Sequence, residues 1–145
     1  MVEQAIGRRL FSRGFKREAT VPAGLGMEVD RLLEDAALSA LSMARKAGSL
    51  VTGFAKVDAA IRAGQALAVL HATDASPDGR RKVEQAILAT YLGEGPPPVH
   101  VVFDSRQMGL ALGTENVVHA AAKDSGAGEN LIRRILALET YRDTP

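Results

Sequence analysis

The sequence has 145 residues, enough for one compact domain with an appendage. A hydrophobic fraction of 46% argues against disorder, and aromatics at only 4% leave the core to Ala, Leu, Val and Ile. The lack of cysteine excludes disulfides, thiolate metal sites and cysteine nucleophiles, while a net charge of +1 gives no global attraction for nucleic acid.

No segment approaches the roughly 18 apolar residues of a bilayer span, and the N-terminal stretch lacks the apolar core of a secretory signal. A cytoplasmic location is expected. Residues 1–26 differ from the rest: Arg8, Arg9, Arg13, Lys16 and Arg17 punctuate Leu10, Phe11 and Phe15, and Pro22, Gly24 and Gly26 then break the chain. This reads as a basic arm, either merely solvated or contacting a polyanion. Residues 27–145 form the domain proper.

From Met27 to Ala47, Val29, Leu32, Leu33, Ala36, Ala37, Ala40, Leu41 and Ala44 follow helical spacing, and Gly48 after Arg45-Lys46 is a stop. Ser49–Thr52 reads as a short edge strand. A turn at Thr52-Gly53 opens a second helix, Phe54 to Ala63, with Val57, Ala60 and Ile61 on one face. The run Ala66–His71 is continuously apolar, hence a central strand covered on both faces. Ser76 as N-cap and Pro77 at the first position start a helix that runs to about Leu92 and buries Val83, Ala86, Ile87 and Tyr91.

Val99–Phe103 is expected as another buried strand, Ser105 as the cap of a short helix through Leu112, and Val117–Ala122 as a third apolar strand. Asp124–Gly128 reads as a turn before a closing helix, Glu129–Tyr141, with Leu131, Ile132, Ile135, Leu136 and Leu138 inward. Helices alternating with strands throughout predict an α/β fold, a layered α/β/α sandwich.

The motifs exclude more than they assign. Gly48 and Gly53 have the glycine spacing of a phosphate loop, but Phe54 and Ala55 stand where Lys and Ser or Thr belong. Gly126 and Gly128 fail as a dinucleotide fingerprint, because Leu131 occupies the third glycine position. His71, His100 and His119 lie on or beside three expected strands; with Asp74 or Asp104 they would make a metal site only if strand faces aligned them. No carboxylate pair is spaced for acid–base work, so no catalytic residue is assigned. No cofactor, metal or small-molecule substrate is expected. Lys56 in the first turn of the second helix opposes the helix dipole, which an anionic ligand would relieve.

The block LSMARKAGSLVTGFAKVDAAIRAGQALAVLHATDAS, followed by RQMGLALGTENVV, resembles the kink-turn-binding ribosomal ("L-seven-Ae") superfamily. The closest likeness is to its bacterial YlxQ-type branch, small proteins of translation operons, over roughly Arg31 to Leu138. The upstream LFSRGFKR similarly looks like the tail of a YlxR-type domain, so residues 1–26 would be the remnant of a preceding domain. This resemblance implies a three-layer sandwich on a mixed four-stranded sheet, and RNA binding without catalysis.

In its kink-turn binders a Gly-x-Asn-Glu motif opening the second helix holds the RNA; here that position reads Gly53-Phe54-Ala55-Lys56, and Ala59 stands where a basic residue often follows one turn on. Asn and Glu can hydrogen-bond base edges, whereas Ala offers nothing and Lys only donors and charge. The departures therefore imply recognition by shape and backbone, with Phe54 stacking an unpaired base and Lys56 meeting phosphate. The family's second contact loop corresponds to Thr114-Glu115-Asn116-Val117, of which Thr114, Asn116 and Val117 are the expected contacts. Arg8, Arg9, Arg13, Lys16 and Arg17 would add electrostatics. The expected partner is structured RNA, ribosomal or otherwise connected with translation; the rival reading is a protein-interaction module that has lost RNA binding.

Overall fold

A computed structural model describes residues 23–143, which fall into two compact units dividing between Arg31 and Leu32. The order is α1 (Ala23–Lys46), β1 (Leu50–Thr52), α2 (Phe54–Arg62), β2 (Ala66–His71), α3 (Pro77–Tyr91), β3 (Val99–His100), α4 (Ser105–Leu112), β4 (His119–Lys123) and α5 (Gly126–Asp143). The sheet runs β1-β4-β2-β3 and is mixed: β4 is antiparallel to both β1 and β2, and β3 is parallel to β2. The α/β reading of the sequence holds.

Strand alternation divides the core into two layers. Leu70 on β2 and Ala120 and Ala122 on β4 pack with Leu41 of α1, Met108 of α4 and Leu131, Ile135 and Leu138 of α5. Val69 and Ala121 point the other way and pack with Val57 and Ile61 of α2 and Val83 and Ile87 of α3. Because β4 is built largely of alanine, helices on both sides can approach the sheet closely, which fits a core poor in aromatics.

Local chemistry places the element ends. Gly48 at φ 74° closes α1, with the Ser49 N–H donating to the Ala44 carbonyl at 2.8 Å. Ser76 caps α3 as expected, its hydroxyl accepting from the Gly79 N–H at 3.0 Å ahead of Pro77.

Several boundaries differ from the sequence reading. Helix α1 begins at Ala23 and includes Gly24 and Gly26, and within it Leu32 is exposed. The cap of α4 is Asp104, not Ser105: its carboxylate accepts from the Gln107 N–H at 2.7 Å, and the Gln107 side chain accepts in return from the Asp104 N–H at 3.0 Å. Only Val99 and His100 pair in the third strand, which lies at the sheet edge with Val99 and Val101 partly exposed. The last strand starts at His119 rather than Val117.

The expected turn at Gly126–Gly128 is instead the first turn of α5. A Cβ at Gly128 would collide with the Lys123 carbonyl, so that glycine serves close packing and not a turn. On α5 itself Leu136 is exposed. Among the described residues no helix is long and apolar enough to cross a membrane.

Candidate functional site

The start of α2 lies beside the loop between α4 and β4. Gly53 precedes the helix at φ 91° and ψ 149°, a conformation that residues with a Cβ rarely adopt. Its N–H donates to the His119 carbonyl at 3.0 Å, which fastens the helix entry to the start of β4. No side chain caps α2 and no acidic residue stands in its first turn, so this positive helix end is open to an acceptor.

A groove of about 340 Å³ opens there, lined by Thr52, Gly53, Phe54, Thr114, Glu115, Asn116, Val117, Val118 and His119. Of the residues expected from sequence, Gly53, Phe54, Thr114, Asn116 and Val117 come together along it. Ala55 and Lys56 are exposed on the first turn of α2 and do not line it. Val117 is buried, so it offers little side-chain surface, whereas Phe54 is 41% exposed. Arg8, Arg9, Arg13, Lys16 and Arg17 lie outside the described residues.

Sequence reading missed His119 as a groove residue. Its ring meets Phe54 edge to face, centroids 6.4 Å apart, and meets His71 in the same manner at 5.0 Å. The two imidazoles share a hydrogen bond, Nδ1 to Nδ1, at 3.0 Å. One ring must donate and the other accept, so the two rings cannot both be charged while this bond holds.

Burial is the main cause that lowers both groups, which favours neutral rings at neutral pH. The His71 pKa falls to about 4, helped by His119 and Arg80, and that of His119 falls with help from Arg80. His71 and His119 are register partners on β2 and β4, which explains their meeting. The signal was the antiparallel register, which no single-strand pattern displays.

His100 joins neither. Its strand partner is Leu70, so it faces the other layer, where its Nδ1 contacts a Glu139 carboxylate oxygen at 2.9 Å. Asp74 is engaged by Ser105, and Asp104 caps α4. Of the three histidines and two aspartates weighed as metal ligands only His71 and His119 meet, and no group of three or more ligating side chains forms among the described residues.

Charge around the groove is mixed. Lys56 is exposed on the first turn of α2, and the acidic Glu115 is among the lining residues. Asp58 pairs with Arg62 at 3.1 Å along α2. The arrangement offers an aromatic ring, open backbone donors and one lysine, which suits a flat, polar-edged ligand carrying an anionic group.

The profile of the ribosomal protein L7Ae/L30e/S12e/Gadd45 family matches residues 35–132. Among solved structures, a protein of unknown function from Bacillus halodurans is similar at 30% identity and a TM-score of 0.58, covering 68% of this chain and 95% of that one. The 15.5 kD RNA-binding protein of Giardia lamblia is similar in fold at 16% identity and a TM-score of 0.58, covering 75% of this chain and 89% of that one. No curated protein sequence matches.

Proposed function

The chain belongs to the ribosomal protein L7Ae/L30e/S12e/Gadd45 family, and from that membership we propose that it binds structured RNA through the groove between α2 and the α4–β4 loop. The observation that carries this reading is the convergence of Gly53 and Phe54 with Thr114, Asn116 and Val117 around one opening beside an uncapped helix N-terminus. The similar Giardia lamblia protein is named for RNA binding, which supports it.

In this reading Phe54 stacks an unpaired base and the amides opening α2 donate to phosphate or base oxygens. Lys56 meets the backbone, while Arg8, Arg9, Arg13, Lys16 and Arg17 add attraction. A YlxQ-type role connected with translation, non-catalytic and in the cytoplasm, follows from the blocks quoted above, with residues 1–26 as the tail of a YlxR-type domain.

Ala55 and Lys56 remove the amide and carboxylate that would read sheared purine pairs, so affinity depends on shape and backbone. The test is titration with a kink-turn hairpin and with a variant whose sheared pairs are exchanged for other base pairs that keep the kinked backbone. Affinities within about threefold are expected, since a lost specific base contact would cost about tenfold or more. A hundredfold preference for the original pairs would contradict recognition by shape alone.

Glu115 on the lining and the missing Asn and Glu favour a second reading, a protein-interaction module. In that case Phe54→Ala weakens a protein partner and leaves RNA affinity untouched.

A further inference from the structure

The groove wall formed by residues 114–117 takes its position from α4. The Thr114 N–H donates to the Gly109 carbonyl at 3.0 Å, and the Val117 N–H to the Ser105 carbonyl at 3.2 Å. A Cβ at Gly109 would stand 2.8 Å from the Thr114 carbonyl oxygen and 3.2 Å from the Asn116 nitrogen, so the loop lies directly against bare helix backbone. Ser105 is fixed from a third segment. Its N–H donates to one Asp74 carboxylate oxygen at 2.9 Å and its hydroxyl to the other at 2.6 Å.

Ser105 is buried, whereas Asp74 sits exposed between β2 and α3. That connection is itself held: the Arg80 guanidinium donates to the Ala72 and Thr73 carbonyls at 3.3 and 3.2 Å, and the Thr73 N–H to the Phe103 carbonyl at 2.8 Å. A continuous run of hydrogen bonds thus joins Arg80, the β2–α3 connection, Asp74, Ser105 and the Val117 amide at the groove.

We propose that Asp74 is a positioning residue of the groove: by holding Ser105 it fixes residues 114–117 opposite Phe54 and so sets the fit of an unpaired nucleotide. This rests on the groove being the RNA site. The hydrogen bonds from the Ser105 hydroxyl, then from its N–H, hold the Asp74 carboxyl below the usual carboxylate range, so the strut is charged at neutral pH. The sign of its effect is diagnostic. A carboxylate acting on RNA only through its field repels phosphate, so its removal would tighten binding. A positioning carboxylate does the opposite.

The experiment compares wild type, Asp74→Ala and Asp74→Asn as full chains. Amide hydrogen exchange is read without RNA, and affinity is read with the kink-turn hairpin. In Asp74→Ala the Thr114 and Val117 amides should exchange about tenfold faster while β2 and β4 amides hold, and RNA affinity should fall about tenfold. Asp74→Asn should recover most of both, because its amide oxygen still accepts the Ser105 N–H and its amino group donates to the Ser105 hydroxyl oxygen. Unchanged exchange at those two amides overturns the strut, as does uniform acceleration through β2 and β4. Faster exchange with unchanged or tighter RNA binding overturns the link to the ligand, and so does an Asn variant that restores nothing. A wild type that binds no hairpin instead defeats the RNA reading itself; local exchange then still decides whether Asp74 holds the loop.

Discussion

Phe54 and His119 meet edge to face at the groove, and the neutral His71 ring completes a contiguous aromatic run into the fold. The histidine pair makes stability depend on pH with a definite sign. Unfolded, a histidine takes its proton near pH 6.5; folded, His71 resists until about pH 4. Between those values the unfolded chain binds more protons, so this contribution is complete above about pH 6.5 and is lost as the pH falls toward 4. His71→Gln keeps a hydrogen-bonding side chain without the titration. Its thermal midpoint should fall less than that of the wild type between about pH 7 and pH 4.5; parallel curves would contradict the account. Gly53 and Phe54 as a local helix opening, and Thr114, Asn116 and Val117 through the family resemblance, were legible as candidates for the groove that they line. His119 was not, since its role depends on facing His71 across two strands 48 residues apart.

At the level of elements, helical periodicity and turn residues located the five helices of the described residues, but their ends answered to contacts that sequence does not print. Ser105 looks like a cap in isolation; in the structure its hydroxyl is taken by Asp74, and Asp104 with Gln107 does the capping. The strand reading of Val117–Ala122 began two residues early, because Val117 and Val118 are apolar in order to line the groove and core, not in order to pair. Gly128 read as a turn glycine for the same reason: the carbonyl that excludes a Cβ belongs to another element. This gives a comparison within one turn of helix. Gly128→Ala should cost about 1–3 kcal/mol through overpacking, while Gly126→Ala, which meets nothing within 4 Å, should be neutral or slightly stabilising. Denaturant midpoints check both, and equal effects would remove the close-packing argument.

For the molecule as a whole, the alternation of helices and strands fixed the α/β class, whereas strand order and mixed direction could be expected only through resemblance to the family. The sheet order β1-β4-β2-β3 puts His119 at the start of a strand flanked by both β1 and β2, so the entry to α2 and the end of the α4–β4 loop meet at one place. That meeting point is what the topology contributes to function. With a net charge of only +1 for the whole chain, attraction for RNA in the proposed reading has to come from local features. In the proposed reading the open amides of α2, Phe54 and Lys56 are those features among the described residues.

The most direct test is recovery of crosslinked RNA from cells expressing the chain, beside a Phe54→Ala/Lys56→Ala double variant. Phe54 and Lys56 are exposed, so the double variant should fold. Loss of one stacked base alone weakens binding by about 1–3 kcal/mol, enough to deplete the recovered RNA strongly. The account predicts enriched structured RNA with the wild type and near-background recovery with the variant. Equal recovery from the two proteins, at background or well above it, would contradict RNA binding through this groove.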